Sequence, residues 1–286
     1  MSRSARGHEV GAERTPSAGV FTKSRADAPP GFFACEAAGL AWLGVAGGSR
    51  VARVLDVSPT RLDLERVPPA APTPEAAYAF GRALAVVHDA GAPAWGASPP
   101  GWTGDGFFGP LDDPLPMPTG SWPDWPTFYA EARLLPVARQ GRDRGALDAD
   151  DVHLLERLGG SLADLARPAH DDAPARVHGD LWSGNVLWSP QGPGPGGRPS
   201  GVEAVLIDPA AHGGLREADL AMLALFGAPY LDEIVAGYDD AHPLARGWRH
   251  RVALHQVYPV AVHAVLFGGG YRAQLRSSVR ALLGDA

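Results

Sequence analysis

Two short motifs, H-G-D-L-W-S-G-N at 178–185 and I-D-P-A at 207–210, constrain this chain more than any other feature. Phosphoryl transfer needs an Asp near the attacking hydroxyl to accept its proton. It also needs an Asn and a second Asp to hold magnesium against the phosphates. Asp180, Asn185 and Asp208 supply that set in that order. The three can act together only if the chain between Asn185 and Asp208 doubles back. A short strand over 185–188, a Gly/Pro-rich tip over 190–201 and a return strand over 204–207 would do so.

Two other readings account for less. His178 and Asp180 could be two ligands of a transition metal, but the third His or Cys that normally accompanies them at short spacing is missing. A Gly-Asp turn into a strand could be plain hairpin chemistry, which leaves Asn185 and the later Asp-Pro-Ala unexplained.

Upstream, alternation over 19–23 predicts a strand that carries Lys23. Apolar residues at 32, 33, 37, 40 and 43 recur with a helical period and put Glu36 on that helix. Strands are predicted over 51–57 and 61–67, with Ser58, Pro59 and Thr60 as the turn. The run P-P-A-A-P at 68–72 stops the sheet. It divides a small β-rich lobe, 1–67, from a larger, mainly helical one, 68–286. Thr73 and Pro74 introduce a helix over 75–88. The stretch 91–123, rich in Gly, Pro and Trp, is expected to wrap the surface or line a cleft. Further helices are predicted from just after Asp124, Trp125 and Pro126 to about 140, and over 150–165, 217–226, 231–238 and 249–267. His250, His255 and His263 lie on or beside the last of these. Their spacing makes no two-His metal face, and they are read as satisfied core residues.

Composition narrows the function classes. The 45% hydrophobic content supports a sizeable core. The net charge is −7, and no Lys/Arg cluster points to nucleic acid or an anionic membrane. No run approaches the roughly 18 apolar residues of a membrane span. The N-terminus has no apolar stretch that would make a secretory signal. A single cysteine, Cys35, excludes an internal disulfide and fits a cytoplasmic location. Of the 25 basic residues only Lys23 is a lysine. A chain that uses Arg elsewhere keeps Lys where a compact ammonium is needed.

The H-x-D-x-x-x-x-N spacing is that of the protein-kinase catalytic loop. These residues together resemble the fructosamine kinase family, or ketosamine 3-kinases, in the aminoglycoside-phosphotransferase-like branch of the kinase fold. The octapeptide at 178–185 resembles that family's signature, and Trp182 sets it apart from generic phosphotransferase loops. Asp208, Pro209 and Ala210 resemble its metal-binding Asp-Pro-Ala. R-E-A-D-L-A-M at 216–222, L-F-G at 225–227 and F-G-G-G-Y at 267–271 resemble later family motifs. Residues 125–135 and F-A-C-E at 33–36 resemble earlier ones.

The resemblance implies an α+β, bilobal, protein-kinase-like fold and ATP-dependent phosphorylation of the 3-hydroxyl of a ketosamine, as a small molecule or on glycated protein. The phosphorylated product falls apart and frees the amine, a deglycation repair. Asp180 would accept the sugar hydroxyl proton, while Asn185 and Asp208 hold Mg2+. Lys23, set by Glu36, would contact the non-transferred phosphates. Leu64, Glu65, Arg66 and Val67 would offer backbone groups to adenine. Trp182 would stack on the sugar or its amine substituent. His178 would brace the loop, and Asp219 would hold it through backbone amides.

The front of the chain departs from the family pattern. Only 22 residues precede Lys23, and Gly7 and Gly11 are the sole candidates for a phosphate-covering turn. A shortened small lobe is therefore expected. Two alternatives follow: a kinase of an aminoglycoside or sugar, or a nucleotide-binding protein with little catalysis. Lys23→Arg is expected to impair turnover despite keeping the charge, because a planar guanidinium fits poorly where an ammonium sits among phosphates. Steady-state kinetics at saturating ATP test this; unchanged parameters would make the sole lysine an accident of composition.

Overall fold

In the computed structural model, residues 19–167, 172–192 and 201–285 are described. Lys23 lies on β1 (Val20–Ser24), in an antiparallel sheet of order β1-β4-β3 with β3 (Val54–Ser58) and β4 (Arg61–Glu65). Helix α1 (Phe32–Leu43) covers this sheet, with Phe33 and Leu40 clustered against Leu62 and Leu64. Its bounds are those the apolar period predicts. The candidate glycines for a phosphate-covering turn, Gly7 and Gly11, lie outside the described residues.

The strand expected over 51–57 is two strands. Arg50 and Val51 form β2 (Arg50–Val51), which leaves the small sheet and pairs in parallel with β9 (Val202–Leu206). The chain crosses over at buried Ala52, whose N–H donates to Leu206 O at 2.9 Å. Arg50 fixes the crossing by reaching Glu203 at 3.0 Å and Glu65 at 2.7 Å. Without β2 that edge of β9 would have unpaired backbone groups.

The large lobe opens with α2 (Pro74–Asp89), where the Thr73 side chain accepts from Ala76 N. This helix lies against α7 (Leu231–Ala241) at a distance only glycine permits. A Cβ on Gly81 would come within 1.9 Å of Ile234 O, and one on Gly237 within 2.0 Å of Tyr78 O. The stretch 91–123 does line the cleft, through a hairpin of β5 (Gly106–Phe108) and β6 (Leu115–Met117). Phe108, Leu115 and Met117 fasten it into the main core.

The helix predicted to follow 124–126 and run to about 140 starts at Trp125 and contains a π turn. It runs as α3 (Trp125–Tyr129), the π turn Ala130–Leu134 and α4 (Leu135–Asp143). Next comes α5 (Ala149–Leu165), with a capping box between Asp148 and Asp151. The small pair β7 (Ala175–Val177) and β10 (His212–Gly214) brackets the segment 178–211, and β8 (Val186–Pro190) pairs with β9 as expected. Most of the predicted flexible tip, 193–200, lies outside the described residues. Helices α6 (Glu217–Phe226), α7, α8 (Trp248–Phe267) and α9 (Gly270–Leu283) complete the lobe. No helix of the described residues is long and apolar enough to cross a membrane.

Pro259 inside α8 cannot donate to the helix ladder. The buried Tyr129 hydroxyl inserts at this point. It donates to Leu254 O at 3.0 Å and accepts from Tyr258 N at 3.1 Å. The opened turn is thus satisfied, and the last turns of α8 face the cleft. Tyr129→Phe is expected to cost about 1–3 kcal/mol, the scale of buried polar groups left unpaired. Denaturant unfolding measures it; an unchanged midpoint would mean that the ladder closes without the hydroxyl.

Candidate active site

The β8–β9 hairpin brings Asn185 and Asp208 together at its root, where Ile207 N–H donates to Asn185 O at 3.1 Å. The loop before it is held from below by Asp219, on the first turn of α6. The Asp219 carboxylate accepts from His178 N at 2.7 Å and Gly179 N at 2.9 Å. Gly179 has φ 83, and a Cβ there would lie 2.2 Å from Ala210 O. Only glycine lets the loop approach the Asp-Pro-Ala segment this closely.

His178 ties the two motifs to each other. Its Nε2–H donates to Ile207 O at 2.9 Å, and its Nδ1 accepts from Asp180 N at 3.3 Å. Burial lowers its pKa, so the ring stays neutral and keeps both roles. Asn185 Nδ2 donates to Asp180 O at 2.8 Å and reaches Asp180 Oδ2 at 3.3 Å. The amide nitrogen is therefore committed to the loop, and the amide oxygen is the part of the side chain left to accept. Asp208 takes the left-handed conformation at φ 54, rare for a non-glycine residue. Its carboxylate pairs with Lys23, which also reaches Glu36 at 2.7 Å.

Three carboxylates and one ammonium share this site, and the imbalance shows in their ionisation. Burial opposes the charge on Lys23, but Glu36 and Asp208 outweigh it and hold the ammonium above its ordinary pKa. Burial, with Asp208 adding, pushes Glu36 up to about 7 against the pull of Lys23. Asp180 is also pushed up to about 7, first by burial and then by the charge of Asp208.

The cleft above these groups holds about 1100 Å³. Lys23, Glu36, Asp180, Asn185 and Asp208 form one part of its wall. The part beyond Asp180 is aromatic: Trp182, Phe226, His263, Phe267 and Tyr271. Trp182 is 41% exposed and meets Phe226 edge-on at 6.1 Å.

Leu64, Glu65, Arg66 and Val67 are not among the residues lining this cleft. Leu64 is core, and the amides of Glu65 and Arg66 donate to Arg53 O and Gly19 O, both at 2.9 Å. The three late histidines do not behave alike. His255 is buried as read, His250 is exposed, and His263 faces the cleft. Its Nδ1–H donates to Pro259 O at 2.7 Å, which leaves Nε2 as an acceptor. Only an apolar helical period was visible at these positions, and that cannot tell a core face from a cleft face.

Sequence reasoning also missed His88. This fully buried ring donates from Nε2 to Asp219 at 3.1 Å and accepts at Nδ1 from the Tyr238 hydroxyl at 2.7 Å. No local signal marks a lone His at the end of an amphipathic helix.

Asp180 titrates near 7 in the fold rather than at about 4. Between those values the fold resists its ionisation, so the penalty is absent at low pH and complete above 7. In chelator-treated protein, Asp180→Asn is expected to raise Tm at pH 8, and the gain should vanish toward pH 4. A gain independent of pH would refute the assigned environment.

The whole of this framework lies within one known family. The fructosamine kinase model matches residues 8–285. A probable ketoamine kinase of Synechocystis is 34% identical over 206 residues, which are 72% of this chain and 62% of that protein. The chain thus spans less than two thirds of that relative. A Thermobifida fusca crystal structure, classed with the fructosamine-3-kinases, matches at 48% identity and TM-score 0.80, over 93% of this chain and 85% of that one. APH(2″)-IIa, in a complex with streptomycin and ATP, shares the fold alone, at 12% identity and TM-score 0.55 over 93% and 85% of the two chains. The fold is therefore protein-kinase-like, and the chain belongs to the fructosamine kinase family, a family of phosphotransferases.

Proposed function

We propose that this protein transfers the terminal phosphoryl group of ATP to the 3-hydroxyl of a ketosamine, a fructosamine or ribulosamine. The observation that carries the choice of acceptor is the aromatic wall beside Asp180. Phe226, Val262, His263, Leu266, Phe267 and Tyr271 include no carboxylate, and apart from Glu36, Asp180 and Asp208 the cleft is lined by a single acidic residue, Asp112 on the β5–β6 hairpin. A polycationic aminoglycoside would need acidic partners there. A keto-sugar bearing one amine needs a flat apolar platform, which Trp182 supplies, and an acceptor for a hydroxyl or amine proton, which His263 Nε2 supplies.

In this reading Asp180 accepts the proton of the 3-hydroxyl as that oxygen attacks the terminal phosphorus. The bond from phosphorus to the bridging oxygen breaks, and ADP leaves. Lys23, braced by Glu36, holds the non-transferred phosphates. The oxygens of Asn185 and Asp208 suit a hard cation such as Mg2+. Bound there, Mg2+ would offset phosphate charge. Neutralising Asp208 would also weaken the second cause of the raised Asp180 pKa, burial being the first, and so favour the ionised form that acts as a base. The phosphorylated ketosamine would then decompose and release its amine, whether free or on a protein.

Labelled-ATP transfer to a panel of ketosamines, free sugars and kanamycin tests the reading. Ketosamines are expected to be phosphorylated, and kanamycin not. Asp180→Asn should lower kcat roughly 100-fold, the scale of a lost general base, and leave ATP binding intact. Transfer to kanamycin but to no ketosamine would overturn the assignment.

A further inference from the structure

Helix α1 carries Glu36 to Lys23, yet its first turn has no side-chain cap, only the bond from Phe32 N–H to Pro29 O at 3.0 Å. Gly31 precedes it at φ 82, no side chain accepts from the free amides, and no acidic residue stands in the first turn. The turn is held from outside. A Cβ on Gly31 would lie 2.4 Å from the Trp102 ring. Phe32 packs on Phe107 with ring centroids 5.2 Å apart, and Phe107 meets Trp102 at 6.4 Å. Arg25 Nη1 donates to Leu111 O at 3.0 Å, and Leu111 packs into the small-lobe core.

Phe107 and Leu111 belong to the β5–β6 hairpin, which the phosphoryl-transfer reading does not use. The hairpin's other contacts are in the large lobe. Phe108 packs against Tyr258 of α8 at 5.2 Å. Gly109 lies so near the acceptor wall that a Cβ would come within 2.8 Å of Leu266 Cδ1. The hairpin thus bridges α8, beside the acceptor, and the start of α1. The far end of α1 is fixed separately. Arg176 donates to Trp42 O at 2.6 Å with its guanidinium over the Trp42 ring, and Gly39 abuts Pro209.

We propose that Phe107 is a positioning residue: through the first turn of α1 it sets Glu36, and so Lys23, from the acceptor side of the cleft. The proposal rests on the roles given above to Lys23 and Glu36. An acceptor pressed against residues 107–112 therefore also firms the phosphate-holding pair. Losing the Phe107 ring frees the start of α1 and leaves its end in place.

Two measurements on Phe107→Ala and Phe107→Leu test this, each variant alone and combined with Glu36→Gln. The first is amide hydrogen exchange without substrates, which does not depend on the acceptor's identity. In Phe107→Ala the first two turns of α1 should exchange about tenfold faster while α5 is unchanged. Phe107→Leu should restore most of the protection. The second is steady-state kinetics with the phosphorylated acceptor. Phe107→Ala should lower kcat about tenfold with the acceptor KM within about threefold, and should add nothing to Glu36→Gln. Unchanged α1 exchange, α5 loosening together with α1, a rise confined to acceptor KM, or losses that multiply would each overturn the proposal. A failure of the ketosamine assignment alone would leave the exchange result standing.

Discussion

The buried carboxylate of Asp219, 1% exposed, is the point on which the site's geometry rests. A charge so far from water survives only with full hydrogen-bond compensation. Burial pushes its pKa up, but the donors from His88, His178 and Gly179 outweigh this and hold it ionised. Two consecutive amides bound to one carboxylate fix the turn at 178–179. From that turn Asp180 projects into the cleft, and His178 spans to Ile207 just before Asp208. Behind Asp219 the chain continues through His88 and the Tyr238 hydroxyl to Arg216 and Asp89. This buried polar ladder makes the loop one rigid unit with α2, α6 and α7.

The reacting end of the site has the opposite character, with more negative charge than the protein neutralises. Glu36 and Asp180 are both held near 7, and Lys23 is the one ammonium among them. A pocket in this condition favours an incoming cation and is relieved by it. The same excess explains why the sole lysine of the chain stands here: a compact charge can reach two carboxylates at once from one strand.

Much of this was legible in the sequence because the informative residues lie close together in it. The octapeptide at 178–185 carries loop and chemistry together, and I-D-P-A after a Gly/Pro-rich tip predicts the hairpin that brings Asn185 to Asp208. The apolar period over 32–43 gives α1 and the place of Glu36. What could not be read depends on distant partners. The split of 51–57 into two strands is decided by the free edge of β9, some 150 residues away. The β5–β6 hairpin has a six-residue connection among Gly and Pro, so no turn signature or clean alternation marks it. Helix α9 buries only Leu275 and Val279 and begins at the last of three consecutive glycines, which hides its period. His88 and His263 sit on helices whose pattern says only that one face is apolar.

In the proposed function Asp180 serves a sugar hydroxyl at a defined position. Phosphorus–carbon correlation NMR on the product of a 13C-labelled fructosamine and ATP tests it most directly. Phosphate coupled to the carbons around position 3 of the ketose is expected, in a product that then releases its amine. Phosphate on another hydroxyl, in a product that stays intact, would contradict it.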